Sequence, residues 1–333
     1  MRHTILALSL LAATQPAQAE EVNLYSYRQP ELLAPLTDAF TKKTGIEVNV
    51  AYLSDGMVER LQAEGDRSPA DLVFTVDVAR LAAIVDAGVT QPVTSDLLQS
   101  NVPAQYHDPE GNWWGLTTRA RIVYASKDRV DPSEVTTYED LADPKWRGRL
   151  CTRSGTHPYN VALAAAHLYH HGADETRTWL EGLKANLARK PQGNDRAQVK
   201  AIWSGECDIA LGNTYYMGQM LADDEQKEWA DAVNVLFPVF EGGGTHENIS
   251  GVAMTKAAPN RDNALKMMEF LTTPEAQEIY AHANYEYPIA PGSQADELVR
   301  SWGSFDADPV NLMELADHRA EALRLIEDVD FDG

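Results

Sequence analysis

Cysteine is almost absent from this chain of 333 residues: there are two, Cys151 and Cys207, so one disulfide is the most it can form. Positive charge is sparse too, with 28 Lys and Arg against 50 Asp and Glu, a formal net charge of −22. A chain this acidic, with no basic stripe, repels nucleic acid and anionic lipid, so neither is expected as a partner. Long apolar runs are missing: the best, Ile5 to Ala13, is too short to span a bilayer. The nine histidines form no His-Glu-x-x-His cassette, and neither a P-loop nor a Gly-x-Ser-x-Gly elbow occurs. Nothing sets a nucleophile beside a base, so the chain is not expected to be an enzyme.

What is present begins with an export signal over residues 1–19. Arg2 supplies a positive start, Ile5 to Ala13 the apolar stretch, and Ala17-Gln18-Ala19 a small-residue cleavage site. The mature protein is expected to begin near Glu20, to be soluble and exported, and to be long enough for two domains. Export bears on the cysteines: in an oxidising compartment a lone pair is most simply a disulfide, the alternative being two unpaired buried thiols. A bridge closing a loop of about 57 residues constrains the unfolded chain by about 4 kcal/mol in the entropic treatment.

Along the mature chain, strand and helix patterns alternate. Val22–Tyr25 reads as a strand, and Leu32, Leu33, Leu36 and Phe40 form one face of a helix stopped by Gly45. A strand over Ile46–Tyr52, a helix over Met57–Glu64, a buried strand over Asp71–Val76 and a helix over Val78–Ala87 follow. This order predicts an α/β fold with a largely parallel sheet. Trp113–Tyr124 looks like a long strand crossing between lobes, and the glycine-rich Gly242–Gly251 like the return crossing. Pro259–Ala281 reads as two helices joined at Thr272-Thr273-Pro274, and Glu297–Val329 as an amphipathic helical tail.

The tyrosines beside the cysteines carry the chemistry. Cys151 lies eight residues before Tyr159, and Cys207 eight before Tyr215, which Tyr216 follows. Each segment reads as a strand entering a helix. Ser154 or Thr156 is suited to cap the first helix, with Pro158 in its first position. Asn213 is suited to cap the second. The phenols then sit at helix N-termini, which favour anions, and at strand carboxyl ends, where open α/β sheets bind ligands. Three hard phenolate donors suit a hard trivalent cation, above all Fe3+. A phenol of pKa near 10 ionises at neutral pH only after a shift of about 3 units, about 4 kcal/mol each. A helix terminus supplies about 1 kcal/mol or less at an exposed site, so the metal-free site should hold neutral phenols and metal binding should release protons. The alternative is an aromatic cleft for an organic solute such as a polyamine or a carboxylate. Arg119 and Arg121 share one face of the crossing strand. One could hold a small anion such as carbonate through two parallel hydrogen bonds, or both could be surface ion pairs. His170-His171 before Gly172 reads as a helix C-terminus.

The stretches Leu24–Gln29, Ser68–Asp71 with Thr75–Asp77, Trp114–Arg121, Lys190–Asp195, Gly212–Tyr216 and Gly244–Gly251 together resemble the periplasmic ferric-iron-binding proteins of ABC importers, the FbpA and FutA group. The likeness spans essentially the whole mature chain. It implies a two-lobed periplasmic binding protein of type II, each lobe a mostly parallel sheet flanked by helices and joined by crossing strands. The lobes would comprise residues 20–118 plus 249–296 and 119–248 plus 297–333. The resemblance further implies Tyr159, Tyr215 and Tyr216 as Fe3+ ligands and Arg119 as contact to a synergistic carbonate, helped by the turn Ser154, Gly155, Thr156. Some relatives carry a His-Tyr pair after the first strand; here Arg28-Gln29-Pro30 stands there, so those ligands are absent. Tyr27, Gln29 and Arg121 are candidates for supporting the ligands rather than binding iron. The implied partner is an inner-membrane ABC permease, and the implied state a periplasmic monomer.

Overall fold

The computed structural model describes residues 20–333; the export signal expected over 1–19 lies outside the described residues. Among the described residues, nine strands form one mixed sheet: β1 (Glu21–Ser26), β2 (Glu47–Tyr52), β3 (Leu72–Thr75), β4 (Trp114–Ser126), β5 (Leu150–Cys151), β6 (Ile209–Asn213), β7 (Val233–Leu236), β8 (Glu247–Met254) and β9 (Tyr287–Pro288). The order is β2-β1-β3-β8-β4-β6-β5, with β7 and β9 also on β4. Parallel pairing holds at both ends, β2-β1-β3 and β6-β5. The long strands β4 and β8 run antiparallel to their neighbours.

β4 is the strand both halves share. Its first half, from Trp114 to Ala120, pairs with β8, and its second half, from Arg121 to Ser126, with β6 and β7. All 13 of its residues are buried, which explains a sequence without polar alternation. Of the glycines in the expected return crossing Gly242–Gly251, the first three form a turn and Gly251 lies inside β8, which pairs with both β3 and β4. A side chain at Gly244 would meet the Ala307 backbone at 2.5 Å, so only glycine lets Thr245 bond the 306–308 segment.

The local sequence signals match the helices found. Helix Pro30–Thr44 starts on its proline and ends where Gly45 takes φ of 77°, a left-handed turn that a side chain disfavours. It buries Leu33, Leu36 and Phe40, each contributing about 1.5–3 kcal/mol of transfer free energy. Helices Met57–Glu64 and Val78–Asp86 stand where periodicity places them. The two-helix reading near Pro274 becomes helices Arg261–Leu271 and Pro274–Asn284.

The tail expected as helical and amphipathic is helical in three short pieces, Glu297–Ser301, Leu312–Asp317 and Arg319–Asp328. Gly303 at φ of 119° and Pro309 interrupt the pattern. The last helix packs across helix Pro158–His171, burying Leu325 and Ile326. Cys151 and Cys207 are joined, with Cα atoms 5.9 Å apart. The bridge sits in an apolar cluster with Ile122, Tyr124, Ile202, Met217 and Met220.

Candidate functional site

Two strand-to-helix turns, from β5 and from β6, bring three phenols together. After β5 the chain turns into helix Pro158–His171, with proline in its first position as expected. Its cap is neither Ser154 nor Thr156: His157 Nδ1 accepts from the Tyr159 amide at 3.2 Å. The reason is tertiary, because the Ser154 hydroxyl and the Gly155 amide both donate to the carboxylate of Asp332 in the tail. After β6, helix Thr214–Leu221 begins with Asn213 in the cap position. That side chain makes no cap bond; its oxygen accepts from Arg121 at 3.2 Å instead.

The Tyr159 and Tyr215 hydroxyls meet at 3.1 Å. The Tyr215 and Tyr216 rings lie 4.2 Å apart between centroids. Tyr215 is buried, while Tyr159 and Tyr216 are half-buried. Burial holds the Tyr215 phenol well above its ordinary pKa, and the neighbouring Tyr159, Tyr216 and Asp195 push the same way against Arg119. Tyr216 is raised by burial, then by Asp195 and Tyr159, against Tyr215 hydrogen bonding and Arg153. All three phenols can give oxygen donors to one cation, and the two raised ones are neutral without it.

Beneath them lies a buried ionic base. Asp195, fully buried, accepts from Arg153 at 3.0 Å, from Arg121 at 3.4 Å and from the Asn213 amide at 2.9 Å. Arg121 also donates to Asn160, whose amide binds the Arg153 and Ser154 carbonyls. Arg121 is therefore committed to tying the two tyrosine turns together. Arg153 stacks on Tyr159 at 5.1 Å and Arg196 on Tyr216 at 5.9 Å. Among the described residues, Arg153 Nε, Asn213 Nδ2 and Thr214 Oγ1 are buried without a hydrogen-bond partner, so polar capacity remains around the phenols.

Arg119 is buried on the other flank, donating to Ser250 at 3.1 Å. Ser250 donates to Glu286, which also receives Arg28 at 2.7 Å. The Arg28 guanidinium lies 5.6 Å from the Tyr280 ring centroid. Burial pushes the Tyr280 phenol up to about 12, against Arg28. Tyr27 lies under the Arg80 guanidinium at 4.3 Å, and Gln29 is exposed. Among the described residues, no hydrogen bond joins either to the three tyrosines.

Sequence reasoning did not single out Asp195, Arg153, Asn160 or Glu286, and named Arg28 only as standing where some relatives carry a ligand. Arg153 and Asp195 stood inside stretches already noted, but Asp195 meets its arginines across 42 and 74 positions. No local pattern carries such a pairing.

A mixed α/β sheet crossed by a long shared strand, with polar aromatic groups at the helix entries, is the architecture of a solute-binding protein. The chain belongs to the bacterial extracellular solute-binding proteins, matching that family over residues 25–278. It is 44% identical over 319 residues to iron uptake protein A1 of Synechocystis, covering 95% of this chain and 89% of that one. Ferric iron-binding protein A of Mannheimia haemolytica in an open conformation superposes with a TM-score of 0.91 at 48% identity, covering 95% and 100% of the two chains. The Trichodesmium protein in complex with iron and citrate gives a TM-score of 0.90 at 40% identity, covering 93% and 99%.

Proposed function

We propose that this protein captures Fe3+ through the phenolates of Tyr159, Tyr215 and Tyr216 and delivers it to an inner-membrane ABC permease. The observation that carries the reading is the convergence of the three phenols, with a 3.1 Å contact between two hydroxyls, on two helix entries tied by the Cys151–Cys207 bridge. Relatives named for iron uptake and ferric binding support it. The protein acts in the periplasm as a monomer, and as a carrier rather than an enzyme. Its lobes comprise 20–118 plus 249–296 and 119–248 plus 297–333, and iron capture on the second lobe is followed by closure that excludes water.

Arg119 is the anion contact, holding a carbonate against the cation. Ser154, Gly155 and Thr156 join it only by exchanging the Asp332 carboxylate for the anion, since the Gly155 amide and the Ser154 hydroxyl serve Asp332 here. Arg121, Tyr27 and Gln29 support the ligands without binding iron.

The test is a titration of metal-stripped protein with ferric citrate, with and without bicarbonate. A phenolate-to-Fe3+ charge-transfer band saturating at one equivalent, weakened in Tyr159→Phe and dependent on bicarbonate through Arg119, is expected. No band under either condition sinks the reading. An organic solute then becomes the cargo, and Tyr159→Phe should leave its binding intact.

A further inference from the structure

We propose that Glu139, His167 and His171 form a second metal site, for a borderline divalent transition ion of the Zn2+ type, separate from the tyrosine cluster. His167 and His171 stand four residues apart on helix Pro158–His171, hence on one face. Glu139 comes from the short 3-10 turn Glu139–Ala142. One donor atom from each of the three lies within 4.8 Å of the others. His171 Nε2 is 2.7 Å and His167 Nε2 4.0 Å from the same Glu139 oxygen. Metal bonds of about 2.0–2.2 Å put tetrahedral donors about 3.3–3.6 Å apart, so a small shift of the Glu139 side chain suffices.

The far nitrogen of the His167 ring is already hydrogen-bonded in the way metal-bound imidazoles require, and that of His171 faces a carboxylate. His167 Nδ1 sits 2.9 Å from the Thr176 hydroxyl, which leaves Nε2 free to face Glu139. The ring is further locked by stacking on Trp179 at 4.4 Å. His171 Nδ1 faces the Glu175 carboxylate at 3.7 Å. The second Glu139 oxygen is buried and has no hydrogen-bond partner among the described residues, an uncommon state for a carboxylate. The three donors edge a cavity of about 510 Å³ that Asp174 and Glu241 also line, which leaves a fourth coordination position for water.

Two imidazoles and one carboxylate are a donor set for Zn2+, Co2+, Ni2+ or Cu2+, whereas phenolates suit Fe3+. The two sites share one helix: His167 and His171 follow Tyr159 by eight and twelve residues, or roughly 12–18 Å along the axis. A bound ion would pin the C-terminal end of the helix whose first turn carries Tyr159. The inference does not depend on the ferric reading.

The probe is Co2+, titrated alone into the metal-stripped mature protein. The expected result is ligand-field absorption of tetrahedral Co2+ saturating at one equivalent and displaced by Zn2+. His171→Gln and Glu139→Gln should each weaken it at least about tenfold, while Tyr215→Phe leaves it unchanged. Zn2+ should also raise the melting temperature of the parent protein but not of Glu139→Gln, whose buried surroundings stay filled. Absence of the bands, saturation unaffected by both substitutions, or loss in Tyr215→Phe overturns the assignment, leaving the cluster as hydrogen bonds that tie the helix end.

Discussion

Asp195→Asn tests whether the buried carboxylate holds the tyrosine platform together. The substitution conserves volume and an acceptor oxygen but removes the one negative charge between Arg121 and Arg153. Arg121 is 2% exposed, Arg153 9% and Asp195 0%, so solvent cannot take over from the missing carboxylate. Breaking a buried ion pair by removing one partner costs about 3–5 kcal/mol, because the other charge stays desolvated. Both arginines are affected, yet Arg121 retains Asn160 and Asn213, so a loss near 3 kcal/mol is expected rather than twice that. Urea unfolding at neutral pH should show the midpoint falling with unchanged slope, and the melting temperature dropping by about 5–10 °C. In a cycle with Arg153→Gln, the double variant should recover about 1 kcal/mol or more relative to the sum, since it removes the charge left unpaired. A loss under about 1 kcal/mol, or strict additivity, would refute the argument that Asp195 is the common anchor of the two turns.

Iron capture should release about three protons per Fe3+ in the wild type and about one fewer in Tyr159→Phe, measured by calorimetry in buffers of different ionisation enthalpy; equal release by both would remove Tyr159 from the ligand set. The metal-free protein should be stable through neutral pH and lose stability on the alkaline side. Tyr215 and Tyr216 have folded pKa values above their unfolded ones, so their contribution is full below about pH 10 and disappears as pH rises through the folded values. Melting temperatures that stay flat to about pH 11 would contradict this. Gly212→Ala should cost about 2 kcal/mol in urea unfolding, because its Cβ would meet the buried Tyr124 ring at 2.0 Å and displace the hydroxyl that holds the Asn213 carbonyl. Reduction of the Cys151–Cys207 bridge should lower stability by about 4 kcal/mol from its loop of about 57 residues, seen as a lower urea midpoint; an unchanged midpoint would mean the loop is already constrained without it.

The features legible beforehand depend on neighbours in sequence. Gly45, Pro158 and Gly172 mark helix ends because proline and glycine act on their own backbone torsions. The periodic Leu33, Leu36 and Phe40 reveal a buried face, and Tyr159, Tyr215 and Tyr216 could be placed in first helical turns because each follows a strand and a turn. Export made a bridge between the lone cysteines the simplest reading. What stayed hidden involves partners distant in the chain. His157 caps the tyrosine helix only because Asp332, 178 residues away, occupies Ser154. Arg28 finds Glu286 across 258 positions, and Asp195 stands between two arginines from different turns. The tail segment 306–308 pairs its backbone with Thr245, about 60 positions earlier in the chain. Torsional preferences and periodicity are short-ranged and survive in the unfolded chain. The desolvation that forces a buried charge to find its counterpart exists only once the fold has closed around it, so the residues that secure the phenols were decided by tertiary structure alone.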